Sequence, residues 1–277
     1  ILDAILADAA AEAGAELCFG QSFVDVLRDV RGGVEGVVFD GPQRRQRAYA
    51  PLVIGADGRR STVARRVGAR VLSKARHATN CVYAYFEGLP DEGYQWFYEK
   101  GLAAGAIPTH HGAHCIFAST TTDRFRSLGR EVGAEAALRQ LVRETNPQFA
   151  RLMDASNVIM KPVIFGGDHG FLRQATGPGW ALVGDAGYFK DPLTAHGITD
   201  AFRDAELLSQ AILAGTSLHR FEDTRNACSM ELFELTNRIA SFDWTLDDLQ
   251  AMHLKLNEIM KAEQSLIADS AQMRLAA

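Results

Sequence analysis

The chain has 277 residues, 47% of them apolar and 23% charged, with a formal net charge of −5 and a pI near 5.9. That supplies one large core or two modest ones and excludes a disordered or strongly basic protein. The basic residues are dispersed apart from short runs at Arg44-Arg45-Gln46-Arg47 and Arg59-Arg60, which argues against a nucleic-acid partner, and no apolar stretch reaches membrane-spanning length.

Cys18, Cys81, Cys115 and Cys228 lie far apart with no C-x-x-C spacing, so neither a zinc site nor a disulfide framework is indicated. A reducing, cytoplasmic compartment is the expectation. The sequence opens without methionine or signal peptide, inside an amphipathic helix with Leu2, Ile5, Leu6 and Ala9 on one face and Gly14 as its stop. Short strands are predicted over residues 15–19, 23–30 and 34–39, with Gly32-Gly33 turning one into the next, and residues 45–50 complete an antiparallel excursion. Leu52-Val53-Ile54 reads as a buried strand running into Ala56-Asp57-Gly58. A helix capped by Ser61 follows, with Val63, Ala64 and Val67 on its inner side.

From about residue 71 to 170 the pattern changes. Residues 81–86, 94–98, 103–107 and 115–119 predict strands of a mostly antiparallel sheet, followed by a helix over Ala134–Thr145 and a strand over 158–165. This reads as an inserted domain. Residues 181–183 then form a short apolar strand delivering Asp185 to a turn, and a long helix follows with Ile198, Ala201, Phe202, Ala205, Leu208 and Ile212 on one face. Residues 221–274 read as helical, with Leu249, Met252, Leu256, Ile259, Met260 and Ile267 along one stripe. The expected division is 1–70 and 175–219 as two parts of one domain, 71–174 as the insertion, and 220–277 as a helical end.

An isolated Asp-Gly or Gly-Asp pair is usually only a turn. Here two buried strands each end in an aspartate turn before a helix, flanking an insertion of about a hundred residues, and an open α/β fold presents ligand groups at such strand ends. His110, His111 and His114 beside Cys115 read either as metal ligands or, with no carboxylate close by, as solvent-facing residues of a hairpin tip. Tyr83, Tyr85, Trp96, Tyr98 and Phe165 read either as walls of an apolar pocket or as sheet core. No Ser-His-Asp or Cys-His arrangement can be placed.

"VIGADGRRSTVARRVG" resembles the Asp-Gly motif D-G-x-x-S-x-x-R (Asp57, Gly58, Ser61, Arg65) of the FAD-dependent aromatic hydroxylases of the p-hydroxybenzoate hydroxylase fold. "GWALVGDAGYFKDPLTAHGITDAFRDAELL" resembles their second motif, G-D-A-x-H followed by P-x-x-G-Q-G-x-N and D-A-x-x-L. "ILDAILADAAAEAG" resembles the helix that follows their N-terminal dinucleotide fold, so the resemblance runs from Ile1 to about Gly215. It implies an α/β chain: a three-layer ββα, Rossmann-like FAD-binding domain, an inserted, mostly antiparallel β-sheet substrate domain, and C-terminal helices.

The resemblance also implies FAD as cofactor, NAD(P)H as electron donor, and a small-molecule substrate and O2 as partners, with no metal. Gly184 and Asp185 would hold the ribityl chain, while Asp57, Gly58 and Arg65 would serve the pyrophosphate region and the nicotinamide nucleotide. Pro192 would fix the turn at the flavin face. Ala195, His196, Gly197, Ile198 and Thr199 would open a helix whose N–H groups and dipole hold the flavin edge. His110, Pro192 and His196 are the candidates for contact with the reaction itself.

The implied activity is an FAD-dependent oxidoreductase, foremost an NAD(P)H-using monooxygenase hydroxylating a small aromatic or other electron-rich substrate. A reductase or halogenase on the same fold is the alternative, and a non-catalytic remnant acting as a binding protein is a third reading. The Trp-rich G-W-x-W-x-I-P stretch of halogenases has its nearest match in "GLAAGAIPT", which lacks tryptophan. The chain departs from the family where Ala195 and Thr199 replace the first glycine and the asparagine of G-Q-G-x-N, and where Tyr188 replaces a histidine. No G-x-G-x-x-G occurs, so the expectation is a chain recorded without its beginning, holding FAD poorly by itself.

Overall fold

The computed structural model describes residues 1–275, with side chains at all of them except 129–131 and 269–275. Helix α1 (Leu2–Glu12) forms where the apolar spacing places it, yet none of its residues is buried. Residues 15–19, predicted as a strand, find no partner strand among the described residues and run as irregular chain. Strands β1 (Ser22–Arg28), β2 (Val34–Asp40) and β3 (Arg45–Tyr49) form an antiparallel sheet in that order. Strand β4 (Val53–Gly55) then leads through the Asp57 turn into α2 (Thr62–Val67). Ser61 caps α2 as its spacing predicts, its hydroxyl accepting from the Ala64 N–H at 2.8 Å.

After β5 (Val71–Lys74) comes the large sheet: β6 (Thr79–Glu87), β7 (Gln95–Glu99), β8 (Leu102–Pro108) and β9 (His114–Thr121). Helices α3 (Thr122–Val132), α4 (Ala134–Thr145) and α5 (Pro147–Asp154) follow, then β10 (Asn157–Val158) and β11 (Val163–Gly166). The strand order is β10-β6-β9-β8-β7, with β11 also on β6. The single strand predicted over 158–165 is broken because Pro162 has no N–H for the ladder. The sheet's two faces follow the strand's two-residue period. Val82, Ala84, Phe86, Ile116 and Ala118 pack on Leu138 and Leu141 of α4, and the odd-numbered residues of β6 and β9 look the other way.

The chain returns through β12 (Phe171–Arg173), β13 (Thr176–Gly177), β14 (Trp180–Leu182) and β15 (Tyr188–Phe189), and ends in α6 (Gly197–Leu213), α7 (Leu218–Ile239) and α8 (Leu246–Leu275). Strand β14 runs parallel to β4, pairing Leu182 with Gly55. The helix predicted over 221–274 is interrupted at 240–245, where Phe242 adopts a left-handed φ of 55° and the Trp244 indole donates to the Ile239 carbonyl at 2.9 Å. Leu249, Met252 and Leu256 of α8 pack with Leu232 and Ile239 of α7, and reach Ala103 of β8 and Leu193.

The apolar face expected of α6 is only partly the buried one: Leu208 is buried, but Ile198, Phe202 and Ile212 are 64%, 45% and 44% exposed. The buried positions are Asp200, Arg203, Asp204, Leu207, Leu208 and Ala211. The first half of the helix turns its charged face inward because buried ion-pair partners wait there, and only the second half buries apolar residues. No described helix is long and apolar enough to cross a membrane. The architecture is the expected α/β one, with an antiparallel insertion and C-terminal helices.

Candidate functional site

The parallel pairing of β4 and β14 sends both aspartate turns out of the same sheet edge. The two carboxylates then do different things. Asp57 accepts from the Ser61 hydroxyl at 2.5 Å and from the Thr62 and Val63 N–H groups at 2.6 and 3.0 Å. It therefore caps α2 together with Ser61 and locks the turn that Gly58 makes at φ +76°. Arg65 lies on the exposed side of α2, donating to Thr62 Oγ1 at 2.8 Å. Its neighbour Arg59 turns inward instead: the guanidinium sits 4.0 Å from the Phe165 ring centre, and Nε lies 2.9 Å from Asp168 Oδ2, an ion contact without hydrogen-bond alignment.

Asp185 accepts no side-chain hydrogen bond from any described residue. Burial pushes its carboxyl above the usual range, while the charges of Lys190 and Arg59 pull back. A methyl group placed on Gly197 would lie 4.0 Å from Asp185 Oδ1, so the start of α6 and the carboxylate are close neighbours. Gly184, at φ +54°, packs its Cα toward Ala201 and donates its N–H to Asp204 at 3.0 Å.

The segment from Pro192 to Gly197 joins this edge to the large sheet. Pro192, Leu193 and Ala195 line a cavity of about 260 Å³ on the odd-numbered face of that sheet. Its walls are Tyr83, Tyr85, Trp96 and Phe117, with Cys81, Cys115 and Ser119 between them. Of the aromatic residues left open between pocket and core, Tyr83, Tyr85 and Trp96 line this cavity, whereas Phe165 supports Arg59. The register explains the shape: Tyr83, Phe117, Gly105 and Trp96 lie in one row across β6, β9, β8 and β7. A Cβ on Gly105 would come within 2.6 Å of Phe117, and its absence lets the Trp96 and Phe117 rings meet at 5.0 Å above the strand. Burial pushes the Cys81 and Cys115 thiols up to about 12 and about 11, so both are neutral.

Ala195 holds a left-handed φ of 50°, which costs an alanine about 1–2 kcal/mol. The backbone shape expected of a glycine is thus kept. The N-terminus of α6 carries no side-chain cap, and Asp200 is the first residue whose N–H closes onto the preceding carbonyl, at His196. The N–H groups of Gly197, Ile198 and Thr199 are left at the helix mouth, where an anionic or acceptor edge is favoured. The His196 side chain points away: it is buried, with Nε2 2.6 Å from Glu263 of α8. His110 sits exposed at the tip between β8 and β9, bonded to Thr109, and does not line the aromatic cavity. His114, expected to face solvent with it, is buried, and neither ring nitrogen has a partner.

Beneath the segment lies a charge network the sequence reading missed. Arg203, fully buried, reaches Asp200 at 2.9 Å, Asp204 at 2.8 Å and Glu263 at 2.5 Å, and Lys190 pairs with Asp200. Burial and the charge of Arg203 push Lys190 down to about 7. Burial would raise the Glu263 carboxyl, but His196 and Arg203 outweigh it and hold the group below its ordinary range. His196, Asp200 and Glu263 offer donor atoms within 4.8 Å of one another. Lys190 and Arg203 already pair with Asp200, Asp204 and Glu263, while the nearby buried Arg225 donates to the Arg173 carbonyl at 2.6 Å. The signal in the sequence was Asp200, Arg203 and Asp204 at helical spacing opposite an apolar stripe, a pattern that ordinarily marks a solvated face.

A family model described as FAD binding domain matches residues 1–219. Digeranylgeranylglycerophospholipid reductase 2 of Methanothermobacter thermautotrophicus is 29% identical over 239 residues, 79% of this chain and 56% of that protein. Menaquinone reductase of Mycolicibacterium smegmatis is 24% identical over 237 residues, 77% of this chain and 53% of that one. The chain thus spans about half the length of the curated relatives it matches. Among solved structures, a triple mutant of the flavin-dependent brominase Bmp2 superposes with a TM-score of 0.80 at 16% identity, covering 99% of this chain and 73% of that one. PqsL of Pseudomonas aeruginosa, described as a probable FAD-dependent monooxygenase, gives 0.64 at 19% identity, covering 94% and 71%. At these identities the structural likeness establishes the fold alone, but the sequence match spans most of the chain, and the protein belongs to the FAD binding domain family.

Proposed function

We propose that the chain works as an FAD-dependent oxidoreductase that takes electrons from NAD(P)H and, with O2, hydroxylates a small aromatic or other electron-rich molecule. The observation that carries this reading is the 192–197 segment, whose first residues line the aromatic cavity and whose last residue faces the Asp185 carboxylate. The residues fit the cofactor: Asp185 is an acceptor without a donor among the described residues, and the α6 N-terminus offers N–H groups without a side-chain cap. Asp185 would hold the ribityl chain, and Gly197, Ile198 and Thr199 the flavin edge, with Gly58 and Arg65 on the nucleotide side. Bound FAD would supply the two-electron chemistry. The chain's own residues orient the two reactants, and the uncharged walls of the cavity exclude water.

A reductase is the second reading, favoured by the names of the two curated relatives described above. Turnover of an electron-rich phenol or a polyprenyl quinone with FAD and NADPH separates the two, in the protein that carries this chain. Product gaining one oxygen atom with uptake of O2 supports hydroxylation. Product gaining only hydrogen, without O2 uptake, supports the reductase, and a protein that binds no FAD overturns both.

Asp185→Asn tests the cofactor assignment directly. A hydrogen bond to a charged acceptor contributes about 1.5–3 kcal/mol, so FAD affinity, read by flavin fluorescence titration, is expected to fall about tenfold or more. Thermal stability should not fall, since Asp185 serves no described donor. Unchanged FAD affinity would remove Asp185 from the site.

A further inference from the structure

We propose that the aromatic cavity continues past Trp96 into a second chamber under α8, and that together they take an elongated, uncharged ligand, a ring in the first and an apolar tail in the second. The inference rests on the aromatic cavity being the substrate site. Trp96 and Leu193 line both spaces. The second, about 230 Å³, is otherwise bounded by Tyr98, Thr194, His253, Leu256 and Met260. Trp96 stands on the boundary: its ring lies nearly parallel to that of Tyr98 at 6.4 Å and edge-on to Phe117 at 5.0 Å. It remains 37% exposed, as a partition between two open spaces rather than a core residue.

Neither lining contains a carboxylate, a lysine or an arginine. The one imidazole, His253, meets the Tyr98 ring edge-on at 5.0 Å, and burial lowers its affinity for a proton, which keeps it neutral. Burial likewise raises the Tyr98 phenol far above the working range. A charged group entering either space would lose hydration with no counter-charge to meet it, whereas each apolar carbon gains by leaving water. Leu193, placed between the chambers by the same turn that carries Pro192 and Ala195, ties the tail's position to that of the ring.

Isothermal titration with 4-ethylphenol, 4-butylphenol, 4-hexylphenol and 4-hexylbenzoate tests the proposal. Affinity should rise about threefold or more per added methylene from ethyl to hexyl, and the benzoate should bind at least tenfold more weakly than its phenol. Met260→Trp and His253→Trp, each filling the second chamber from a half-buried position, should weaken the hexyl ligand at least tenfold and leave the ethyl one unchanged. Affinity that is flat with chain length, a benzoate as tight as the phenol, or equal losses for both phenols in the variants would overturn it. If one variant fails to fold, the other and the wild-type series still decide. Binding is read without turnover, so a protein that shows the chain-length series but takes up no FAD sinks the oxidoreductase reading alone, and FAD uptake with a flat series sinks this one alone.

Discussion

Asp57 and Asp185 look alike in the sequence and differ in what surrounds them. Asp57 is satisfied three times over by its own helix, so its direct effect is on stability. Asp57→Ala should destabilise the protein by about 1–2 kcal/mol, as loss of a helix cap does, read as a lower midpoint in urea with an unchanged slope. An unaltered midpoint would mean that Ser61 caps α2 alone. The spacing made the Ser61 cap legible, because a capping hydroxyl acts on an N–H three residues on. That Asp57 closes onto the same helix was not legible, since nothing local tells a turn carboxylate aimed at a helix from one aimed at a ligand. Ala195, which stands where the resembling family has a glycine, adopts a left-handed backbone that keeps the form of a glycine turn without the glycine.

Among the elements, the strands of the large sheet were the most readable, because alternation along β6 and β9 must put one set of side chains on α4 and the other on the cavity. Helix α6 was readable in position, but its apolar stripe does not tell which face is buried. Its apolar stripe gives the stronger periodic signal, but Arg203 finds three carboxylates on the inner side, one of them sixty residues away, and long-range pairing leaves no local trace. Phe202→Lys separates the two orientations. A 45% exposed side chain should change stability by no more than about 0.5 kcal/mol, whereas a core phenylalanine would cost several times that on thermal unfolding. The inward charges also set a pH dependence. Glu263 has a folded pKa below its ordinary 4.5, so its contribution to stability is present above that value and is lost as pH falls through the folded pKa. Wild type should therefore lose melting temperature more steeply below about pH 4.5 than Glu263→Gln, which has no such group to protonate. Parallel acid profiles would place the acid sensitivity elsewhere.

For the molecule as a whole, the placement of the 192–197 segment against the large sheet depends on helices that belong to neither. The large sheet has its own core with α3, α4 and α5, including Val82, Ile116, Leu138 and Leu141. A second cluster joins α7 and α8 to Ala103 on the sheet and to Leu193 on the segment, and Glu263 adds its bonds to His196 and Arg203 from the same side. Helix α8 thus acts as a brace: its Leu256 presses the 192–194 turn toward the sheet, and its Glu263 fixes the start of α6. The two cores share few residues, so loosening one should spare the other. In a Leu256→Ala, Glu263→Ala double variant, amide hydrogen exchange over residues 190–197 should accelerate at least tenfold, because an apolar contact and an ion pair are both removed from that segment. Exchange in β6, β9 and α4 should stay within about twofold of wild type, since their core residues belong to a cluster with no member from α8. Acceleration spread evenly over both regions would show a single cooperative unit, and α8 would then be a stabiliser of the whole chain rather than the part that sets the spacing between the start of α6 and the cavity.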